Sequence, residues 1–223
     1  MQGQPMTAYG LQRRNMLKFL GASAAVITIG TACGDDNGPA IPPSTGVNLG
    51  SGDVGVLNYA YALEQLEAAF YLRVTSSPYA GVTQTETAYL NDIRDHEVAH
   101  REFFKAVLAA NAIGNLVVDF SSIDFTSRAS VLGAARTFED LGVSAYNGAG
   151  KLLTDPANLG FAGKIVSVEA RHAATIRELL QLNSFADTVD ANALDPALAP
   201  PAVLAAADPF IVTQINASNL PTS

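Results

Sequence analysis

Tryptophan is absent from this sequence of 223 residues, cysteine occurs once and histidine three times. A single cysteine excludes a disulfide within one chain. Basic residues are also few, since 13 Lys and Arg stand against 21 Asp and Glu, and the net charge is −8. No basic stripe is available to neutralise phosphates, which argues against nucleic acid as a partner. With 48% hydrophobic and 15% charged residues, the composition instead predicts one folded domain with a sizeable core.

The N-terminal segment has the three parts of an export signal. Arg13 and Arg14 precede an uncharged run of 14 residues, 19–32, which leads into Cys33. The run is too short to cross a bilayer as a helix, because a span needs ~20 residues. The pattern therefore predicts a signal peptide over residues 1–33, and RRNMLK resembles the twin-arginine export signal. We expect the protein in the periplasm or on the outer face of the cell envelope.

Cys33 resembles a lipoprotein attachment site, although Gly30 stands where that pattern usually has leucine. Two interpretations remain open. Lipidation of Cys33 would attach the protein to a membrane, whereas ordinary cleavage after a small residue would leave this cysteine without a role. Residues 34–52 are rich in Gly, Pro and Ser and are predicted to be a flexible linker.

Apolar residues recur at helical spacing from Asp53 onward. Thr83 followed by Glu86 is typical of a capping box, and Asp155 before Pro156 is typical of a helix start. Four helices are predicted, over about 53–75, 84–111, 128–153 and 156–183, with an extended piece at 116–120 in the connection between the second and third. They suit an all-α, antiparallel four-helix bundle over residues 53–183. Residues 184–223 form a Pro- and Ala-rich tail, in which a short helix is expected near 201–207.

The four predicted helices form two similar halves. LEQLEAAFY in the first helix aligns with FEDLGVSAY in the third, and a Glu-x-x-His motif occurs in both the second and the fourth. The alignment indicates that a helix pair was duplicated. The equivalent positions are Glu64 and Glu139, Tyr71 and Tyr146, Glu97 and Glu169, and His100 and His172.

The repeated Glu-x-x-His motif predicts a metal centre. Residues three apart on a helix are neighbours on one face, so each motif aims a carboxylate and an imidazole at one point. Adding one glutamate from each of the other two helices makes four carboxylates and two imidazoles, the ligand set of di-iron and di-manganese bundles. Iron or manganese suits these ligands best, and zinc also fits their type. The predicted ligands are Glu64, Glu97, His100, Glu139, Glu169 and His172.

Four more residues are expected beside these ligands. Tyr71 and Tyr146 each lie two turns after a predicted ligand glutamate and are expected to hydrogen-bond it, unless they are plain core residues. His96 is expected at the surface or in support of a ligand. Glu67 remains an alternative or additional ligand, but the duplication favours Glu64 because the position equivalent to Glu67 is Gly142.

With these motifs the sequence resembles the exported ferritin-like domain proteins, including the desiccation-related group of bacteria and plants. The resemblance covers residues 53–183 and extends to the tail segment ALDPALAPPAVLAAADPFI. It implies a ferritin-like bundle with a dinuclear centre held by the six residues, and it leaves the reaction open.

Three functions compete. The first is a redox protein that acts on O2 or peroxide or handles iron, as an oxidase, a peroxidase or a catalase-like enzyme. The second is a non-enzymatic envelope or stress protein whose metal site is structural or vestigial. The third, an iron-storage cage, would have to accommodate the linker, the lipid anchor and the tail around a closed shell.

Overall fold

The computed structural model of the protein describes residues 46–222. The predicted signal segment, with Arg13, Arg14 and Cys33, lies outside the described residues, as does most of the predicted linker. Among the helices of residues 46–222, none combines the length and the apolar character that a membrane crossing requires.

Helices dominate the described residues, and the predicted all-α, ferritin-like bundle is confirmed. The four long helices are followed by a fifth, short one. Two strands of two residues each, β1 (Val47–Asn48) and β2 (Ile215–Asn216), pair in parallel and join the two ends of the described chain. The helices are α1 (Gly52–Ser76), α2 (Gln84–Leu108), α3 (Arg128–Ala149), α4 (Pro156–Leu180) and α5 (Pro200–Ala207).

Side-chain caps mark the starts of α2 and α4. At the start of α2 the Thr83 side chain accepts a hydrogen bond from the Glu86 amide, and the Glu86 carboxylate accepts one from the Thr83 amide. Asp155 caps α4 by accepting from the Ala157 amide at 2.8 Å. Such caps stabilise a helix by ~1 kcal/mol each. α2, α3 and α4 end before their predicted C-termini, whereas α1 reaches Ser76, just past its predicted end. α2 and α3 continue into 3₁₀ turns, which keep the apolar spacing but tighten the backbone.

The helices pack as two hairpins, α1 against α2 and α3 against α4, and looser contacts join α1 to α3 and α2 to α4. Contacts between α1 and α3 run in opposite orders along the two chains, since residue 64 meets residue 146 and residue 71 meets residue 139. Neighbouring helices are therefore antiparallel, whereas the diagonal pair α2 and α3 runs in one direction. The connection at 112–127 consequently runs back along the bundle. Its predicted extended piece makes a single antiparallel bridge, between Val118 and Ile211.

Aromatic side chains form a cluster where α1 and α3 meet the connection and the tail. Phe70 on α1 lies 5.0 Å from Phe138 on α3, ring centre to ring centre, and Phe138 lies 4.8 Å from Phe210 of the tail, both edge to face. Phe120 and Phe125 of the connection pack on the same cluster. Each such pair contributes ~0.5–1.5 kcal/mol beyond its buried area. This cluster ties the connection and the tail to the helices that carry the polar centre.

The tail docks on α3 through a close backbone approach. The Leu198 amide donates to the Ser144 carbonyl oxygen at 2.9 Å. A Cβ on Gly148 would overlap the backbone of Leu198, so this position admits only glycine without a shift of the tail. Arg177 of α4 is buried and forms ion pairs with Asp140 of α3 and Asp187 of the tail. The tail is therefore part of the folded unit.

Candidate metal centre

All four bundle helices contribute to a buried polar centre halfway along their lengths. Glu64 comes from α1, Glu97 and His100 from α2, Glu139 from α3, and Glu169 and His172 from α4. The four glutamates are 0% exposed, and His172 is 4% exposed. Burying an unpaired carboxylate is costly. Four of them in one interior layer therefore call for a cationic partner.

The six residues form two groups that overlap. Glu64, Glu97, His100 and Glu169 can offer one ligand atom each within 4.8 Å of one another, and so can Glu97, Glu139, Glu169 and His172. Glu97 and Glu169 belong to both groups. Each group thus has one glutamate and one histidine of its own and two carboxylates that it shares. This is the arrangement that places two cations side by side with bridging carboxylates.

The potential ligand atoms lie close together, but they do not form good hydrogen bonds with one another. The Nδ1 atom of His100 lies 3.0 Å from Oε1 of Glu169, and Nδ1 of His172 lies 2.7 Å from Oε1 of Glu97. None of these four atoms makes a hydrogen bond of acceptable geometry, nor does the Oε2 atom of Glu64 or Glu139. Buried polar atoms in this state are rare in folded proteins. Atoms that lie this close together without hydrogen bonds are arranged as the coordination of cations requires.

Burial and mutual repulsion keep protons on this centre in the absence of cations. Burial raises the pKa of Glu64 to about 7 and holds the pKa of Glu169 well above its usual range. Burial opposes ionisation of Glu97 too, but His100 and His172 outweigh it and lower the pKa of Glu97 to about 2. Burial works against a charged His172, yet Glu139 and Glu97 raise its pKa to about 10. Cations that bind here must therefore displace protons.

Charge and ligand chemistry both fit two divalent ions. Four ionised carboxylates carry −4 and two divalent ions carry +4, so the occupied centre is neutral in the low-dielectric interior. Carboxylate with imidazole suits iron, manganese and zinc, whereas calcium and magnesium favour oxygen alone. The ligand types therefore indicate a divalent transition metal and leave its identity open.

Two tyrosines brace the centre in a crossed arrangement. The Tyr71 hydroxyl donates to Oε1 of Glu139 at 2.5 Å, and the Tyr146 hydroxyl donates to Oε1 of Glu64. The expectation that each tyrosine binds the glutamate of its own helix is wrong. Seven residues rise ~10 Å along a helix, so the hydroxyl is out of reach of its own glutamate but meets that of the antiparallel neighbour. Each tyrosine therefore links the two halves of the duplication.

Removing either hydroxyl should weaken metal binding. In Tyr71→Phe or Tyr146→Phe a buried carboxylate oxygen loses its donor, which costs ~1–3 kcal/mol of stability, and supporting contacts of this kind are worth ~10–100-fold in metal affinity. Chelator competition and thermal unfolding measure the two effects. Tyr59→Phe is the matched control, since the buried Tyr59 hydroxyl makes no hydrogen bond. Equal affinities for all three variants would contradict a bracing role.

The other two residues expected beside the ligands lie on opposite sides of the centre. His96 is exposed, and its Nδ1 atom lies 2.8 Å from Nε2 of His172, with the two rings stacked. Glu67 is buried at 2% exposure and belongs to neither group of potential ligands. Its Oε1 atom would lie 3.0 Å from a Cβ placed on Gly142. Sequence reasoning identified Gly142 as the equivalent of Glu67 but did not foresee that the two positions face each other.

Comparison with known proteins agrees with this geometry. No curated protein matches the chain. A model of the ferritin-like domain family matches residues 52–182, which include α1 to α4 and all six predicted ligands. The match covers more than half of the chain, and its limits coincide with those of the bundle. The chain therefore belongs to the ferritin-like domain family.

Proposed function

We propose that the protein binds two ions of iron or manganese and uses them for redox chemistry with O2 or peroxide or for the oxidation of iron. The observation that carries this proposal is the sharing of Glu97 and Glu169 between the two groups of potential ligands. Two adjacent redox-active ions supply the electrons that O2 or peroxide accepts. A structural ion needs no partner of this kind beside it.

The chain's own residues would prepare the centre for this chemistry. Tyr71 and Tyr146 hold the unshared glutamates by donating hydrogen bonds to them, which leaves the second oxygen of each free to point at the centre. His96 contacts the outer nitrogen of His172 and orients its ring, so that Nδ1 faces the carboxylates. The surrounding apolar side chains exclude bulk water, which strengthens every charge interaction inside.

Metal content is the first test. The chain is purified from its own host and its metals are counted by mass spectrometry. We expect about two iron or manganese ions per chain, one for each group of ligands. Consumption of peroxide and of O2 by the metal-loaded protein is then measured against the metal-free protein. A folded chain that contains no metal and resists reloading would overturn the proposal.

A structural role is the second candidate, and one observation favours it. The ligands come from all four helices, so two ions would cross-link the bundle and neutralise its buried carboxylates. Under this alternative the loaded protein contains two ions, is much more stable than the metal-free protein, and turns over neither O2 nor peroxide. Turnover by the loaded protein would eliminate it.

We further propose that the protein works outside the cytoplasm, as a member of the exported, desiccation-related group. The twin-arginine pattern and the uncharged run over residues 19–32 support export, and Cys33 supports a lipid anchor. Cell fractionation tests both parts. Export predicts loss of the protein from the envelope when Arg13 and Arg14 become Lys, and lipidation predicts release from the membrane fraction in Cys33→Ser. Unchanged fractionation of a variant would contradict the corresponding part.

A further inference from the structure

The duplication breaks at one position that borders the metal centre. Glu67 follows Glu64 by three residues in the first half, and Gly142 follows Glu139 by three in the second. Across the antiparallel pair α1 and α3 these two equivalent positions face each other, since a Cβ on Gly142 would lie 3.0 Å from Oε1 of Glu67. Equivalent residues that meet in this way cannot both be large. The first half carries the carboxyl group of Glu67, and the second half has Gly142, which has no side chain and leaves space for it.

The room over Gly142 also borders a shared ligand. The same Cβ would lie 3.3 Å from Oε2 of Glu169, one of the two carboxylates that belong to both groups. Both contacts are tighter than ordinary van der Waals contact. Gly142 therefore keeps open a space that lies between Glu67 and the shared carboxylate, on the α1–α3 side of the centre.

A small cavity occupies this side of the bundle. It has a volume of about 10 Å³, close to the ~10–15 Å³ that one water needs. Its walls are apolar except for the side chain of Glu67, whose Oε2 atom is buried and has no hydrogen-bond partner. The lining residues are Leu63, Leu66, Glu67, Phe138, Leu141 and Gly142.

We propose that this cavity is where O2 or peroxide reaches the centre, with Gly142 providing the space between Glu67 and the shared Glu169. The inference rests on the proposed function, because a small oxygen molecule has a use there only if a metal pair is bound. On the α2–α4 side of the described bundle, His96 is stacked on His172 instead.

The test uses nitric oxide, a diatomic probe, on full-length protein loaded anaerobically with ferrous iron. Gly142→Ala should keep about two ions per chain and bind nitric oxide about tenfold more weakly or worse, because the added methyl group fills the cavity. Gly133→Ala is the matched control. It makes the same change in α3, where an added Cβ would meet no atom within 4 Å, and should bind the probe as the unmodified protein does.

Glu67→Ala provides a second test that adds no bulk. It enlarges the cavity and should retain two ions and bind nitric oxide at least as tightly as the unmodified protein. Loss of iron from this variant would make Glu67 a ligand and overturn the proposal. Equal nitric oxide affinities of Gly142→Ala and Gly133→Ala would also overturn it, as would loss of iron from Gly142→Ala alone. Failure of the unmodified protein to bind iron would instead count against the proposed function.

Discussion

Replacing both His100 and His172 by alanine should reduce the bound metal from about two ions per chain to nearly none. Each group of potential ligands contains one histidine of its own, so the double variant removes the only nitrogen ligand from both. The glutamates that remain would hold the ions through carboxylate oxygens alone, which transition metals bind less tightly. Mass spectrometry of the purified variant measures the metal, and circular dichroism reports whether the helices persist.

The third histidine provides the control for this experiment. His96 belongs to neither group, so His96→Ala should still bind two ions when the metal is in excess. A double variant that also holds two ions would show that the ligand assignment is wrong. Loss of metal together with loss of the fold would favour the structural role. Loss of metal and of peroxide turnover in a protein that stays folded would favour the enzyme.

Removing the metal should make the stability of the protein fall steeply as the pH rises. The pKa of Glu64 is raised by burial from 4.5 to about 7, and that of His172 is raised from 6.5 to about 10 by Glu139 and Glu97, against the effect of burial. A raised pKa means that the folded chain binds more protons than the unfolded one. Stability from these groups is present below the usual pKa and is lost as the pH rises through the raised value.

The pH range over which stability is lost follows from the pKa shifts of Glu64 and His172. The stability that Glu64 provides is lost between pH 4.5 and about 7, and the stability that His172 provides is lost between pH 6.5 and about 10. Glu97 acts in the opposite sense, because its pKa of about 2 removes stability only as the pH falls below 4.5. The metal-free protein should therefore be most stable near pH 5. Its melting temperature should fall by about 10 °C towards pH 8.5, for a loss of a few kcal/mol.

Thermal unfolding, measured with chelator and with added metal, tests whether the protons of the empty centre cause this pH dependence. Bound ions replace the protons at the carboxylates and imidazoles, so the loaded protein should vary little between pH 5 and pH 8.5. Glu64→Gln removes one titrating group and should flatten the lower part of the metal-free curve. A metal-free melting temperature that stays level or increases over this range would contradict the electrostatics of the centre.

Helix positions were readable from the sequence because the signals that set them are local. The capping box of Thr83 and Glu86 and the Asp155–Pro156 pair act within four residues, and the apolar spacing marks the buried face of each helix. The helix ends were less accurate, since a 3₁₀ turn continues the same apolar pattern with a different hydrogen bond. The extended piece predicted at 116–120 forms only one bridge, between Val118 and Ile211. Ile211 lies in the distant tail, so local sequence signals could not predict this pairing.

The candidate ligands were visible in the sequence because the site is internally repeated. One Glu-x-x-His motif is weak, but a second copy at the equivalent position of an aligned helix pair indicates a common purpose. The tyrosine contacts could not be inferred in the same way. Whether Tyr71 meets Glu64 or Glu139 depends on which helices are neighbours and on their relative direction, and spacing along one helix contains neither.

By itself, then, the sequence determined the four helices, their pairing into two halves and the set of residues for a metal centre, since each depends on spacing within one helix or on repetition along the chain. Only the tertiary structure decided that Glu97 and Glu169 are shared, that each tyrosine crosses to the other half, and that Glu67 faces Gly142. These facts depend on the antiparallel packing of α1 against α3 and of α2 against α4, which brings equivalent residues of the two halves face to face.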